Sequence, residues 1–193
     1  MNSDKYIYYD EEMAIEKIGF RTRLLLSKIA NDFSDICILC IGSDRATGDS
    51  LGPIAGQRLR ELIKNDTVKI YGDLKETVHA ANIQSVLEKI HAEKSNSFII
   101  AIDAALSKFP AHVGRVNIGK GSLRPGTSVG KKLPAVGHIY ITGVVNWTSG
   151  LEGLAVLQST RLGNVFEMAE VIAKGVAYAL CKTCPCKHSN LSI

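Results

Sequence analysis

No stretch of the 193 residues stays apolar for the roughly 18–20 positions that a membrane-spanning helix needs. The opening residues, MNSDKYIYYDEEM, hold acids and tyrosines where an export signal would place Lys or Arg ahead of an apolar run. A cytoplasmic protein with no membrane partner is therefore expected. Excess charge is scarce too: 23 Lys and Arg stand against 19 Asp and Glu, and the basic residues are dispersed. A net +4 spread in this way is no electrostatic footprint for nucleic acid. No P-loop and no G-x-G-x-x-G is read in the chain, so no nucleotide or other cofactor is expected. A Ser–His–Asp or Cys–His reading is set aside, because no nucleophile elbow and no Cys in an exposed polar setting is recognised. Five cysteines, an odd number in a cytosolic chain, argue against a disulfide framework.

What is present suits a single globular domain over 1–193, with 46% apolar and 22% charged residues and enough length to bury a core. The chain is organised around Ile36–Pro53. There an apolar run, Ile36–Ile41, stops at Gly42-Ser43, a polar loop follows, and a helix begins after Asp49-Ser50 with Pro53 in its first turn. Either Asp49 or Ser50 is placed to cap that helix.

The remaining elements follow from periodicity. Residues 1–9 read as an extension without clear period, and about Asp10 to Asn31 as a helix. Strands are predicted at Ile36–Ile41, Thr67–Tyr71, Ser97–Asp103, Val113–Ile118 and Ile139–Val145. Helices are predicted after Ser50, over Ile83–Ala92 with Asn82 as cap, and from Thr160 to about Cys181. The last of these would bury Leu162, Val165, Phe166, Ala169, Ile172, Val176 and Leu180. Gly119–Pro134 reads as a long glycine-rich loop, and 183–193 as a flexible tail. Strands alternating with helices imply a three-layer α/β/α sandwich on a mostly parallel sheet of about five strands.

If the second strand lies outside the first, the first and third become neighbours and the strand order reverses between them. Ligands of open α/β sheets sit in such a crevice, at the carboxyl ends of the strands. Asp49 and Asp103 would then face each other. Two facing carboxylates can share a proton and activate water, bind a metal, or each cap a turn. The long loop favours a functional site, since about 15 residues without secondary structure in a compact domain commonly form a binding loop.

The strings Asp44-Arg45-Ala46-Thr47-Gly48-Asp49-Ser50-Leu51-Gly52-Pro53, Ile102-Asp103-Ala104 and Pro125-Gly126-Thr127-Ser128-Val129-Gly130 resemble, in that order, motifs of the YyaC-type sporulation proteins. That family is similar to the germination protease of spore-forming bacteria and, more distantly, to the hydrogenase-maturation endopeptidases. The resemblance spans about residues 36–175. It implies an aspartic-type endopeptidase acting on a peptide or a small spore protein, with Asp49 and Asp103 as the catalytic pair. In the hydrogenase-maturation enzymes the matching acids help to bind nickel together with a His. His138 and His79 are the candidates here, and neither is assigned, so no metal is expected.

Arg45 and Arg124 are candidates to hold a peptide carboxylate or a developing negative charge. Thr127 and Ser128 are candidates to hydrogen-bond a substrate backbone. Asn146-Trp147 would line the crevice, and Asp44 is given no role. Cys181, Cys184, Cys186 and His188 have zinc-like spacing but follow the last helix without a second ligand knuckle. The leading expectation is a sporulation-associated peptidase using the Asp49/Asp103 pair. The alternative is a peptide- or metal-binding regulator on the same fold that does not hydrolyse.

Overall fold

The computed structural model describes residues 6–30, 33–93, 96–126, 133–150 and 152–181. Six strands form one mixed sheet: β1 (Ile7–Tyr8), β2 (Asp35–Cys40), β3 (Val68–Tyr71), β4 (Ser97–Ser107), β5 (Arg115–Lys120) and β6 (Ile139–Trp147). Their order is β1-β5-β6-β4-β2-β3. β3, β2, β4 and β6 run parallel, while β5 is antiparallel to both β6 and β1. The expected mostly parallel α/β sandwich is what forms, with one strand more than expected. The extra strand is β1, two residues long, whose Ile7 is buried beside Val116. Two residues are too few to show a period.

Helices α1 (Ala14–Ile29), α2 (Leu51–Leu62) and α5 (Leu162–Cys181) cover one sheet face. Ile38, Ile100, Ile102, Val116 and Ile141 meet Ile18, Leu59, Val165, Ile172 and Val176 there. α3 (Ile83–Glu93) covers part of the other face, with Ile83, Leu87 and Ile90 against Cys37, Leu39, Ile99 and Ala101. Both faces of β2 and β4 are thus buried, which is why these strands are continuously apolar rather than alternating. A six-residue helix not foreseen, α4 (Gly153–Gln158), follows β6.

Several predicted details are corrected. α5 buries Val165, Ala169, Ile172, Val176 and Leu180 as expected, but Leu162 and Phe166 are exposed and Met168 is buried instead. β5 lies two residues later than Val113–Ile118. The Ser50 side chain makes no capping bond to α2; its hydroxyl donates to the Thr47 carbonyl at 2.6 Å. Asn82 holds the turn before α3 rather than its first turn. It accepts from the His79 N–H at 2.8 Å and donates to the Thr77 carbonyl at 2.8 Å. Of the Gly119–Pro134 stretch, residues 127–132 lie outside the described residues; Gly119 and Lys120 belong to β5, Leu123 pairs with Val136, and Leu123, Leu133 and Val136 pack on the α3 side.

Candidate active site

β3 does lie outside β2, and β2 and β4 are parallel neighbours, so the strand order reverses between them. β2 ends with Cys40 opposite Ile102. One residue on, the Ile41 N–H donates to the Ile102 carbonyl at 2.7 Å and Gly42 turns away to the Val78 carbonyl. β4 continues to Ser107 alongside β6. Asp103 is therefore inside a strand and not at its end, a correction to the expected strand-end position. It occupies the first β4 position beyond the last β2 pairing.

Asp49 reaches this gap through close backbone contacts. Gly42 has φ +142°, and a Cβ on it would collide with the Asp49 carbonyl oxygen. The same carbonyl accepts from the Ser43 N–H at 3.2 Å, which closes the loop between them. A Cβ on Gly52 would collide with the Ile41 backbone, so glycine lets the start of α2 rest on the end of β2. A short 3-10 turn, Gly48–Ser50, carries Asp49 between these contacts. Leu157 of α4, itself buried, packs over Gly48.

Asp49 and Asp103 line one cavity of about 380 Å³. Ser43, Arg45 and Ala46 line it from the loop after β2, and His79, Ala80 and Ala81 from the turn before α3. Pro125, Gly126 and Leu133 from the stretch beyond β5 and Leu154 and Gln158 of α4 complete the wall. Asp103 is buried and its Oδ1 accepts from the Ala104 N–H at 2.9 Å. Burial and the negative charge of Asp49 hold its carboxyl protonated well above the usual aspartate range, against the smaller opposing pull of that N–H.

Of the other expected site residues, Arg45 is exposed and on the cavity rim. Arg124 is exposed and does not line the cavity, although Pro125 and Gly126 beside it do. Thr127 and Ser128 lie outside the described residues, as do Cys184, Cys186 and His188. Asp44 is exposed and does not line the cavity. Asn146 donates to Thr160 Oγ1 at 3.1 Å and accepts from the Trp147 N–H, and neither residue lines the cavity. The letters Gly48-Asp49-Ser50-Leu51-Gly52 satisfy G-x-S-x-G. Ser50 is buried in a 3-10 turn with helical φ of −76° and its hydroxyl donates to backbone, so the serine is not presented to the cavity as an elbow nucleophile is.

The two candidate histidines separate. His138 accepts from the Ile99 N–H at 2.9 Å and stacks on Phe98 with ring centroids 5.0 Å apart, at the opposite end of β4 from Ser107. Burial lowers its pKa, and it is a partly buried histidine packed against Phe33 and Phe98, away from the cavity. His79 lines the cavity, with Nδ1 accepting from the Ala81 N–H at 3.2 Å. Among the described residues no three His, Cys, Asp or Glu side chains are gathered closely enough to hold a metal ion. The residues present therefore do not fit a nickel site of two acids and a histidine.

Residues 6–175 match the family described as "Protein of unknown function (DUF1256)". The chain is 40% identical over 173 residues to the uncharacterized protein YyaC of Bacillus subtilis (strain 168), covering 90% of this chain and 82% of that protein. Its fold is similar to that of a [NiFe] hydrogenase maturation protease, HycI, from Thermococcus kodakarensis KOD1, with a TM-score of 0.56 and 20% identity. That likeness covers 81% of this chain and 99% of the other.

Proposed function

The chain belongs to the DUF1256 family, and we propose that it is a peptidase-like hydrolase that cleaves peptide bonds with Asp49 and Asp103 as an acid–base pair. The observation that carries this reading is a buried carboxyl held uncharged beside a second carboxylate in one cavity. Environments that push two carboxyls toward opposite protonation states assign one as acid and the other as base.

In the proposed reaction Asp49, ionised, takes a proton from a water whose oxygen attacks the scissile carbonyl carbon. Asp103 donates from Oδ2 to the carbonyl oxygen, since Oδ1 is engaged by the Ala104 N–H. The tetrahedral intermediate returns that proton to Asp103 as the carbonyl re-forms. The C–N bond breaks, and the leaving amine takes the proton held on Asp49. No step passes through a metal. Arg45 on the rim is placed to steady negative charge on the substrate. The motif resemblance to the YyaC-type sporulation proteins supports a small spore protein as substrate.

The test is incubation of the chain with small spore proteins, with cleavage read by mass spectrometry. Asp49→Asn and Asp103→Asn should each lower cleavage by about 1,000-fold or more while the melting transition persists, as general acid–base roles demand. Cleavage retained in either variant contradicts the assignment. Peptide binding without turnover by the native chain would instead establish the regulator reading.

A further inference from the structure

α3 covers β2, β3 and β4, and its apolar cluster includes no residue of β5 or β6. On that face β6 and β5 present Tyr140, Thr142, Asn117 and Arg115, all partly exposed. Strand register turns these residues into rows. Asp103 is opposite Thr142, and Thr142 opposite Asn117, whose Nδ2 donates to Thr142 Oγ1 at 3.3 Å. In the next row Ala105 is opposite Val144, and Arg115, paired with Tyr8, completes it on the outer side. A shelf thus leads from Asp103 to the β5 edge.

The shelf ends in a built cationic seat. The Arg115 guanidinium lies 4.0 Å from the centroid of the Tyr6 ring and 5.4 Å from that of Tyr8. Its Nε donates to the Tyr8 hydroxyl at 2.8 Å, and that hydroxyl donates to the Ala111 carbonyl. His112 stacks on the other ring, Tyr6, and Phe109 packs against His112. Among the described residues no carboxylate pairs with Arg115. Its two terminal amino groups keep the forked geometry that binds a carboxylate through two hydrogen bonds. A merely structural arginine fastening β1 would need only the Nε bond.

We propose that Arg115, held between Tyr6 and Tyr8, is a carboxylate-binding subsite for the peptide cleaved at Asp49 and Asp103. Two strand spacings across and two residues along place it roughly 12 Å from Asp103. Extended chain advances about 3.3 Å per residue, so the carboxylate belongs three or four residues from the cleaved bond. The proposal rests on the peptidase reading for its register, but binding tests it without cleavage.

The probe is a set of short fluorescein-labelled Ala/Ser peptides in which a single Glu, or Gln as its neutral match, moves one position at a time. Each is made with a free and an amidated C-terminus and titrated against the full-length Asp103→Asn chain by anisotropy. Replacing the bound carboxylate with its neutral form should weaken binding about ten-fold or more, as loss of a charge-assisted bond does. Sensitivity to amidation rather than to Glu→Gln identifies the terminal carboxylate as the one held. R115Q should remove the difference between charged and neutral peptides, and R115K should keep part of it. Equal binding of charged and neutral peptides by the native Arg115 chain overturns the proposal. So does an R115Q variant that loses affinity for both alike, since that is the signature of a strand fastener. Charge discrimination in a chain that cleaves nothing would uphold the subsite and sink the hydrolase reading; cleavage without discrimination would do the reverse.

Discussion

Asp103 carries an ionisable group into the sheet where its neighbour β2 has just ended, and burial and Asp49 both favour its neutral form. The consequence for stability has a definite sign. The unfolded chain releases this proton near the ordinary value of about 3.9, whereas the folded chain keeps it to higher pH. Stability from this group is full below that value and is lost as pH rises through the folded titration. Asp103→Asn has no proton to lose there. Its melting temperature relative to the native chain should therefore climb as pH rises above the ordinary aspartate value of about 3.9; a constant difference contradicts the shift. That Asp49 and Asp103 come to one cavity was legible in the sequence, because Asp103 directly follows an apolar run and Asp49 stands between a polar loop and a helix start. The position of Asp103 inside β4 was not. How far a strand runs past a polar residue depends on what its neighbour does, and β6 continues beside it to Trp147. His79 was named only as one of two histidines, and the choice between them needed the fold to show which one lines the cavity.

At the scale of elements, the site is built on the join between β2 and α2, where side chains have been dispensed with. Gly52→Ala puts a methyl group into the Ile41 backbone, which cannot move without disturbing the β2–β4 pairing. We expect a loss of about 1–3 kcal/mol, the ordinary cost of overpacking, measured by urea unfolding. A change within about 0.5 kcal/mol, typical of an unconstrained surface position, would show that α2 does not rest on β2 as described. The strand–loop–helix arrangement was evident from the sequence, since an apolar run, a glycine and a proline in a first turn mark it. The capping residues were not. Ser50 and Asn82 have the right chemistry, but their side chains serve the preceding turns. α4 escaped notice because six residues make fewer than two helical turns, too few to show a period, and its Leu157 packs over Gly48.

Over the whole molecule, the strand order does most to create the site. Placing β3 outside β2 brings β2 beside β4, and residues 54 positions apart in number, Asp49 and Asp103, into one cavity. That arrangement could be anticipated from the alternation of strands and helices, as could the α/β class. The pairing beyond β5, which brings Pro125, Gly126 and Leu133 to the cavity wall, could not. It joins residues on either side of a glycine-rich stretch that carries no period of its own. No helix among the described residues is long and apolar enough to cross a membrane. The central claim is that two carboxyls share this crevice in opposite protonation states, and carboxyl carbon-13 NMR of aspartate-labelled chain reads it directly. Asp103 should titrate well above the ordinary aspartate value, and Asp49→Asn should bring that titration down while leaving it raised by burial. An Asp103 carboxyl that titrates in the ordinary range, unmoved by Asp49→Asn, would contradict the account.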